Sequence, residues 1–421
     1  MSKIKNIAML STHGYFDPVP QLGRTDTGGQ VVYVLELAKA LSRVGYKVDI
    51  FTRWFDKSKK QIDPVPGVEG VNVIRIPAGN WEFIPKEFIY DVLPELSKNM
   101  IEFINKNNLD YDLYHGHYVD AGIVTIDVAN NFGKLAFFTA HSLGAWKRDQ
   151  MGGEPMEVEK KFNFKHRISE ETRIFKNVRS HILTSHVQLE KLIELYNDDE
   201  YVPCNNIEII SPGVDIHYYR LPTGEDKQVK TNLPKKYIFC LSRIDTNKGH
   251  DLLLYAFDIV RKEIPEVDLV IGGGSPSPGQ RESEVFDKME AIIAGKGMQS
   301  RVHIIGYVPD EMMRSYYQQS LFFVLPSLFE PFGMTSQEAM ACGKTVVASK
   351  YGGIKNVITN GENGFLIDPV NAEEFAEVMI KLLKDQHLNN KIGLAAHNNI
   401  LKNYSWEAQA RKHIDLYEKY K

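Results

Sequence analysis

Short, continuously apolar runs rich in Val, Ile and Phe recur along this chain, each followed by a longer amphipathic stretch. The first half carries IAML (7–10), VDIF (48–51), VNVIRI (71–76), LAFFTA (135–140), HILTS (181–185) and IEIIS (207–211). Strands without polar alternation are buried on both faces, which a parallel sheet with helices on either side provides. The second half restarts the pattern with YIFCLS (237–242), VDLVIGG (267–273), VHIIGY (302–307), LFFVLPS (321–327), TVVAS (345–349) and GFLID (364–368), predicting a second doubly wound sheet. Between them, SPGVDIHYYRLPTGEDKQVKTNLPK (211–235) collects Pro, Gly and charge with neither period, the composition of a linker. With 421 residues, more than one core usually organises, the expected class is α/β with two domains and a boundary near residue 218.

A formal net charge of -4 gives no general attraction for nucleic acid or anionic membrane, so any bound anion needs a local site. Cys204, Cys240 and Cys342 are far apart and odd in number, which indicates neither a disulfide framework nor a zinc site. The opening MSKIKNIAML is too short for a signal-peptide core, and no apolar run approaches the length of a membrane span. The expectation is a cytoplasmic protein with no membrane span and no nucleic-acid partner.

Four stretches carry chemistry. In LGRTDTGGQVVYVLELAKALSRVG (22–45), Asp26 and Thr27 read as turn and cap residues, Gly28 and Gly29 remove side chains, and Val31, Val34, Leu35, Ala38 and Leu41 form one helical face. Bare backbone at a helix N-terminus is an anion site, although an isolated Gly-Gly is more often only a tight turn. The dinucleotide fingerprint G-x-G-x-x-G is absent. In LSRIDTNKGH, Arg243 and Lys248 follow the end of a buried strand, where such sheets bind ligands; two loop cations are by themselves ordinary surface. VIGGGSPSPGQ (270–280) ends another strand in three glycines. In PSLFEPFGMTSQEAMACGKTVVAS (326–349), Glu330 stands in a loop before Pro331 and Gly333. A helical pattern beginning at Ser336 puts Glu338 in the first turn, a position the helix dipole favours for any acid.

EPFGMTSQEAMACG resembles the E-x7-E signature of the retaining, nucleotide-sugar-dependent glycosyltransferases of family 4. DTGGQVVYVLELAKAL, FIPKE, HGHYVDAG, HSLGAWK, FKHRI, SPGVD and SRIDTNKG extend the likeness over nearly the whole chain, toward sucrose-phosphate and mannosylfructose-phosphate synthases. The resemblance implies the GT-B fold: two Rossmann-like doubly wound parallel-sheet domains facing a cleft. Residues 1–218 would be the acceptor-binding domain and 219–402 the nucleotide-sugar-binding domain. The closing stretch NYSWEAQARKHIDLYEKYK (403–421), with Ser405 as its N-cap, would be a helix packing back on the first domain.

The resemblance also implies roles. Arg243 and Lys248 match the pair that neutralises the leaving diphosphate, and Glu330 the carboxylate that holds hydroxyls of the transferred sugar. Phe332, Gly333, Met334 and Thr335 match its backbone contacts, and Glu338 the ribose-binding acid. Gly29 belongs to the loop over the donor phosphates. His141 matches a histidine near the transferred sugar, and His13 is a further candidate. Gln30, Lys86, Lys147 and Arg167 match the pocket for fructose 6-phosphate, with His166 standing where a second arginine is expected. No covalent nucleophile is implied; the leaving phosphate takes the acceptor proton as an oxocarbenium-like transition state forms.

The D-x-D match at Asp110 and Asp112, with His115 and His117 close behind, is short enough to arise by chance, and no metal or other cofactor beyond the nucleotide-sugar co-substrate is expected. UDP-glucose is the favoured donor and fructose 6-phosphate the favoured acceptor. The alternatives are a GDP-mannose-dependent mannosylfructose-phosphate synthase, a sucrose-synthase-like or lipid-directed transferase, and a nucleotide-sugar epimerase.

Overall fold

The computed structural model describes residues 4–20, 28–151, 153–196, 206–224, 233–274, 279–328 and 330–421, without the side chains of 280 and 281. Asp26, Thr27, Cys204 and parts of the 211–235 and 270–280 segments lie outside the described residues. The chain divides into two compact units, Met1–Gly213 with Trp406–Lys421, and Val214–Ser405.

The first unit is built on an eight-stranded sheet of β1 (Asn6–Leu10), β2 (Lys47–Trp54), β3 (Ile62–Pro64), β4 (Val71–Pro77), β5 (Leu113–His117), β6 (Leu135–Thr139), β7 (Ser180–Leu183) and β8 (Ile207–Ile209). Their order is β3-β4-β2-β1-β5-β6-β7-β8, and every pairing is parallel except β3 with β4. Two strands were absent from the apolar runs. The edge strand β3 is short and mostly exposed, so no apolar pattern marks it, and its Pro64 is tolerated there because an edge needs no donor on its outer side. Strand β5 reads LYHGH, which looks polar, yet all five residues are buried between β1 and β6. The run 181–185 leaves the sheet after Leu183 because Ser185 turns to cap the helix His186–Leu195, accepting from the Gln188 N–H at 3.3 Å.

The helix Gly29–Arg43 buries Val31, Val34, Leu35, Ala38 and Leu41 against this sheet. Its N-cap is Gly28, in extended conformation and with no side-chain cap bond. The C-terminal helix Trp406–Lys419 joins the same core through Trp406, Ala410, Leu416 and Tyr417.

The second unit is a six-stranded parallel sheet of β9 (Tyr237–Leu241), β10 (Asp268–Gly272), β11 (Val302–Gly306), β12 (Phe322–Leu325), β13 (Val346–Ser349) and β14 (Phe365–Ile367), ordered β11-β10-β9-β12-β13-β14. Along β9, Ile238 and Cys240 enter one core layer, while Tyr237, Phe239 and Leu241 enter the other. Along β12, Phe322 and Val324 take the first layer, and Phe323 and Leu325 the second. Both faces are covered, which is why these strands are apolar at every position.

Candidate active site

In the second unit, the loop after β9 folds into the single 3-10 turn Thr246–Lys248 and then passes through Gly249 at φ +68°. A Cβ at Gly249 would sit 2.4 Å from the Pro326 carbonyl oxygen, so only glycine lets this turn press against the loop after β12. The Leu328 N–H donates to the Asn247 carbonyl at 2.9 Å, tying the two loops together. Lys248 is thereby buried with its Nζ 2.6 Å from Glu330 Oε2, while Arg243 stays exposed at the mouth of the same loop. Burial pushes the Glu330 carboxyl up, but Lys248, Arg243 and the Phe332 N–H outweigh it and hold the group below its usual range. Glu330 is therefore an ionised acceptor, with its backbone carbonyl fixed by the Gly353 N–H at 2.9 Å.

The helix that follows spans Met334–Ala341, two residues earlier than the pattern beginning at Ser336. Gly333, at φ +90°, turns the chain directly into it and leaves its first turn without a side-chain cap. Buried Phe332 and half-buried Met334 and Thr335 carry backbone at this bare start. The early start corrects the placement of Glu338, which lies beyond the first turn. There its Oε2 accepts from the Tyr317 hydroxyl at 2.8 Å. Burial pushes the Glu338 carboxyl up to about 7, the Tyr317 bond opposing and Asp310 adding to the rise. Glu330 and Glu338 thus sit in opposite electrostatic settings, one against a lysine and one among tyrosines.

In the first unit, Lys86, Lys147 and Arg167 come from three separate segments and line one pocket with Glu87, Tyr90 and Tyr118. The Lys86 ammonium lies 3.2 Å from Glu87, and that of Lys147 lies 5.7 Å from the Phe162 ring centre. Arg167 is buried: Nε donates to Glu171 Oε1 at 2.8 Å, Nη2 to the Ser142 carbonyl and hydroxyl at 2.8 and 3.0 Å, and the guanidinium covers the Tyr118 ring. Glu171 also accepts from the Gly144 N–H at 2.9 Å and from the Tyr196 hydroxyl, which anchors the start of the helix Gly144–Asp149 that carries Lys147. The three cations therefore share their surroundings with two carboxylates, and the pocket is less positive than the cations alone imply. His166 is exposed with its ring edge-on to Tyr90.

His141 follows β6 with φ +57°, a costly backbone for a non-glycine residue. Its Nε2 lies 3.0 Å from His117 Nδ1, and its carbonyl accepts from the Gln188 amide at 3.0 Å. Burial first, and the nearby His13 second, lower its pKa to about 3. The Gln30 amide donates to Ser11 Oγ and to the His117 carbonyl, both at 3.2 Å; exposed Gly29 begins the same helix. His13 Nδ1 lies 2.9 Å from Asp120 Oδ1. The D-x-D pair is occupied otherwise: Asp112 accepts from the Lys5 and Asn6 N–H groups at 2.8 and 3.0 Å, and Asp110 pairs with Lys134. Among the described residues, no three His, Cys, Asp or Glu side chains are grouped to hold a metal. No helix is long and apolar enough to cross a membrane among those residues.

Two family models divide the sequence: "Glycosyltransferase Family 4" matches residues 27–218 and "Glycosyl transferases group 1" residues 223–399. The chain is 35% identical to a mannosylfructose-phosphate synthase of Agrobacterium fabrum over 419 residues, covering 98% of this chain and 91% of that protein. The chain belongs to the family 4 glycosyltransferases. It is also 31% identical to a probable sucrose-phosphate synthase of Thermosipho melanesiensis, covering 98% of this chain and 96% of that protein. The solved sucrose-phosphate synthase of Thermosynechococcus elongatus superposes with a TM-score of 0.81 at 28% identity, covering 99% of this chain and 98% of that one, so this glycosyltransferase has the GT-B fold.

Several groups in this glycosyltransferase have surroundings that the motifs do not announce. Glu171 could have been found, since it stands four residues after Arg167 on one helix, the spacing at which opposite charges meet. His117, Tyr118 and Asp120 lie within HGHYVDAG, but their contacts show only where the end of β5 and the start of the helix Val119–Phe132 bring them beneath the His13 and His141 loops. Asn247, Ser327, Ser336 and Gln337 each hold a buried side-chain atom with no partner among the described residues. Buried polar groups without partners are uncommon and point to a site that a ligand or water completes.

Proposed function

We propose that this glycosyltransferase moves a hexosyl group, with retained configuration, from a nucleotide-diphosphate sugar to fructose 6-phosphate. The carrying observation is the gathering of Lys86, Lys147 and Arg167 around one pocket, since a phosphomonoester uses three cations where a free sugar gives them nothing to neutralise. On this reading Arg243 and Lys248 neutralise the leaving diphosphate, Glu330 accepts from hydroxyls of the transferred sugar, and Glu338 binds the ribose. Gly29 and the backbone of Phe332 to Thr335 supply further donor contacts, and Gln30 touches the acceptor sugar. The bond from the anomeric carbon to the phosphate oxygen breaks as the acceptor oxygen bonds to the same face, and the acceptor proton passes to the leaving phosphate. Lys248 holds Glu330 ionised, which makes the carboxylate a strong acceptor for hydroxyls of the transferred sugar on this reading. The second unit is on this account the donor site and the first the acceptor site.

UDP-glucose is the donor first expected, and the 0.81 superposition on a sucrose-phosphate synthase favours it. GDP-mannose is the second reading, favoured by the higher identity, 35%, to a mannosylfructose-phosphate synthase. Incubation of UDP-glucose, ADP-glucose and GDP-mannose in turn with fructose 6-phosphate or fructose, with the product identified by NMR, separates these readings. A donor alone turning into its epimer would instead reveal an epimerase, and transfer to a lipid acceptor would reveal a lipid-directed enzyme.

A further inference from the structure

Beneath the His141 loop lies a layer of buried rings. His115 and His117 project from β5, with ring centres 4.2 Å apart; His115 is satisfied at both nitrogens, by Tyr417 at 2.7 Å and Thr139 at 2.8 Å. His117 is not. Its Nδ1 meets His141 Nε2 at 3.0 Å, and its Nε2 is buried with no partner among the described residues.

Burial holds both His117 and His141 neutral, so a single proton lies between Nδ1 of one and Nε2 of the other. If His141 donated that proton, neutral His117 would carry its own on Nε2, an orphaned buried N–H. If His117 donates, its Nε2 is a bare lone pair. An unmade buried donor is the rarer and costlier fault, so the second arrangement is favoured. It obliges His141 to accept at Nε2 and to carry its proton on Nδ1. The Tyr33 ring packs edge-on against the His141 imidazole, with ring centres 4.8 Å apart. The carbonyl of the same His117 receives the Gln30 amide, so one strand residue sets the direction of two side chains.

We propose that His117 is a positioning residue that locks His141 in its Nδ1–H tautomer, making His141 a hydrogen-bond donor to a sugar hydroxyl and not a general base. The inference rests on the reading that His141 faces the transferred sugar. It fits a reaction in which the leaving phosphate, not a histidine, removes the acceptor proton.

The test uses the full chain with 15N-labelled histidine rings, His141 being assigned by the loss of its signals in His141→Gln. Long-range 15N–1H correlations of the wild type should show protonated Nδ1 and bare Nε2. His117→Asn places an amide N–H where Nδ1 stood and should preserve both that pattern and turnover. His117→Leu should release the tautomer and lower kcat about 10- to 100-fold, by analogy with the loss of a partner that orients a metal-binding histidine, with KM for the nucleotide sugar little changed. A wild-type His141 protonated at Nε2, which needs no variant to observe, overturns the inference. The expected tautomer, released by His117→Leu without loss of turnover, contradicts instead the placement of His141 at the sugar, and with it the functional role of His117.

Discussion

Lys248 Nζ and Glu330 Oε2 lie 2.6 Å apart, and the pair joins the loop after β9 to the loop after β12. Lys248 is 6% exposed at its side chain and Glu330 20%, so the contact is partly desolvated. Lys248→Met should remove preorganised positive charge from the leaving diphosphate and raise the barrier by about 2.7–4 kcal/mol. Steady-state kinetics at saturating donor measures this, and turnover near wild type would exclude the role.

Glu330→Gln keeps the shape and discards the charge. Turnover should fall steeply while affinity for the free nucleotide diphosphate stays nearly unchanged, because the carboxylate is assigned to the sugar. Calorimetric titration with the nucleotide alone distinguishes the two effects, and a parallel loss of nucleotide binding would contradict the assignment.

Glu338 gives a pH dependence with a defined sign. Its carboxyl is pushed from 4.5 up to about 7 in the folded chain, so the folded state holds more protons than the unfolded one between those values. That contribution to stability is present below about pH 4.5 and is lost as pH rises toward 7. Glu338→Gln should therefore gain stability relative to wild type across this interval, with a difference that levels off above it. Denaturant melts at successive pH values show this directly; a constant difference would mean the carboxyl titrates normally.

The ion pair of Arg167 with Glu171 is buried at both ends, with side chains 4% and 1% exposed. Glu171→Gln leaves the guanidinium without its counter-charge and should destabilise the chain by about 3–5 kcal/mol, the usual cost of breaking a buried pair. A shift in denaturation midpoint far below that would show that the pair is screened by water.

Much of this could be read from residues, and the limits have physical causes. The continuous runs at 237–242 and 321–327 announce β9 and β12 because two core layers use alternate residues of each strand. Strand β5 was hidden because His115 finds Tyr417 and Thr139, bonds that make a polar segment acceptable in a core. Lys248 and Glu330 were legible as members of motifs, but their mutual contact was not, since it depends on Gly249 allowing two loops to press together. Likewise Lys86, Lys147 and Arg167 were legible as cations, and the four-residue spacing offers Glu171 as a partner of Arg167, whereas the burial of both side chains and the bonds of Glu171 to Gly144 and Tyr196 depend on how the helix Phe164–Asn177 packs.

The acceptor claim is tested most directly by kcat/KM for fructose 6-phosphate and for fructose, measured in the wild type and in Lys147→Ala with the preferred donor. Charge-assisted bonds to a sheltered phosphate contribute about 1.5–3 kcal/mol each, so the wild type should prefer the phosphorylated sugar by a factor of at least about 100. Lys147→Ala should narrow that preference by raising KM for fructose 6-phosphate alone, leaving KM for the nucleotide sugar and any activity on fructose unchanged. Equal use of fructose and its phosphate by the wild type, or a Lys147→Ala enzyme with an undiminished preference, would contradict the three-cation pocket as the acceptor site.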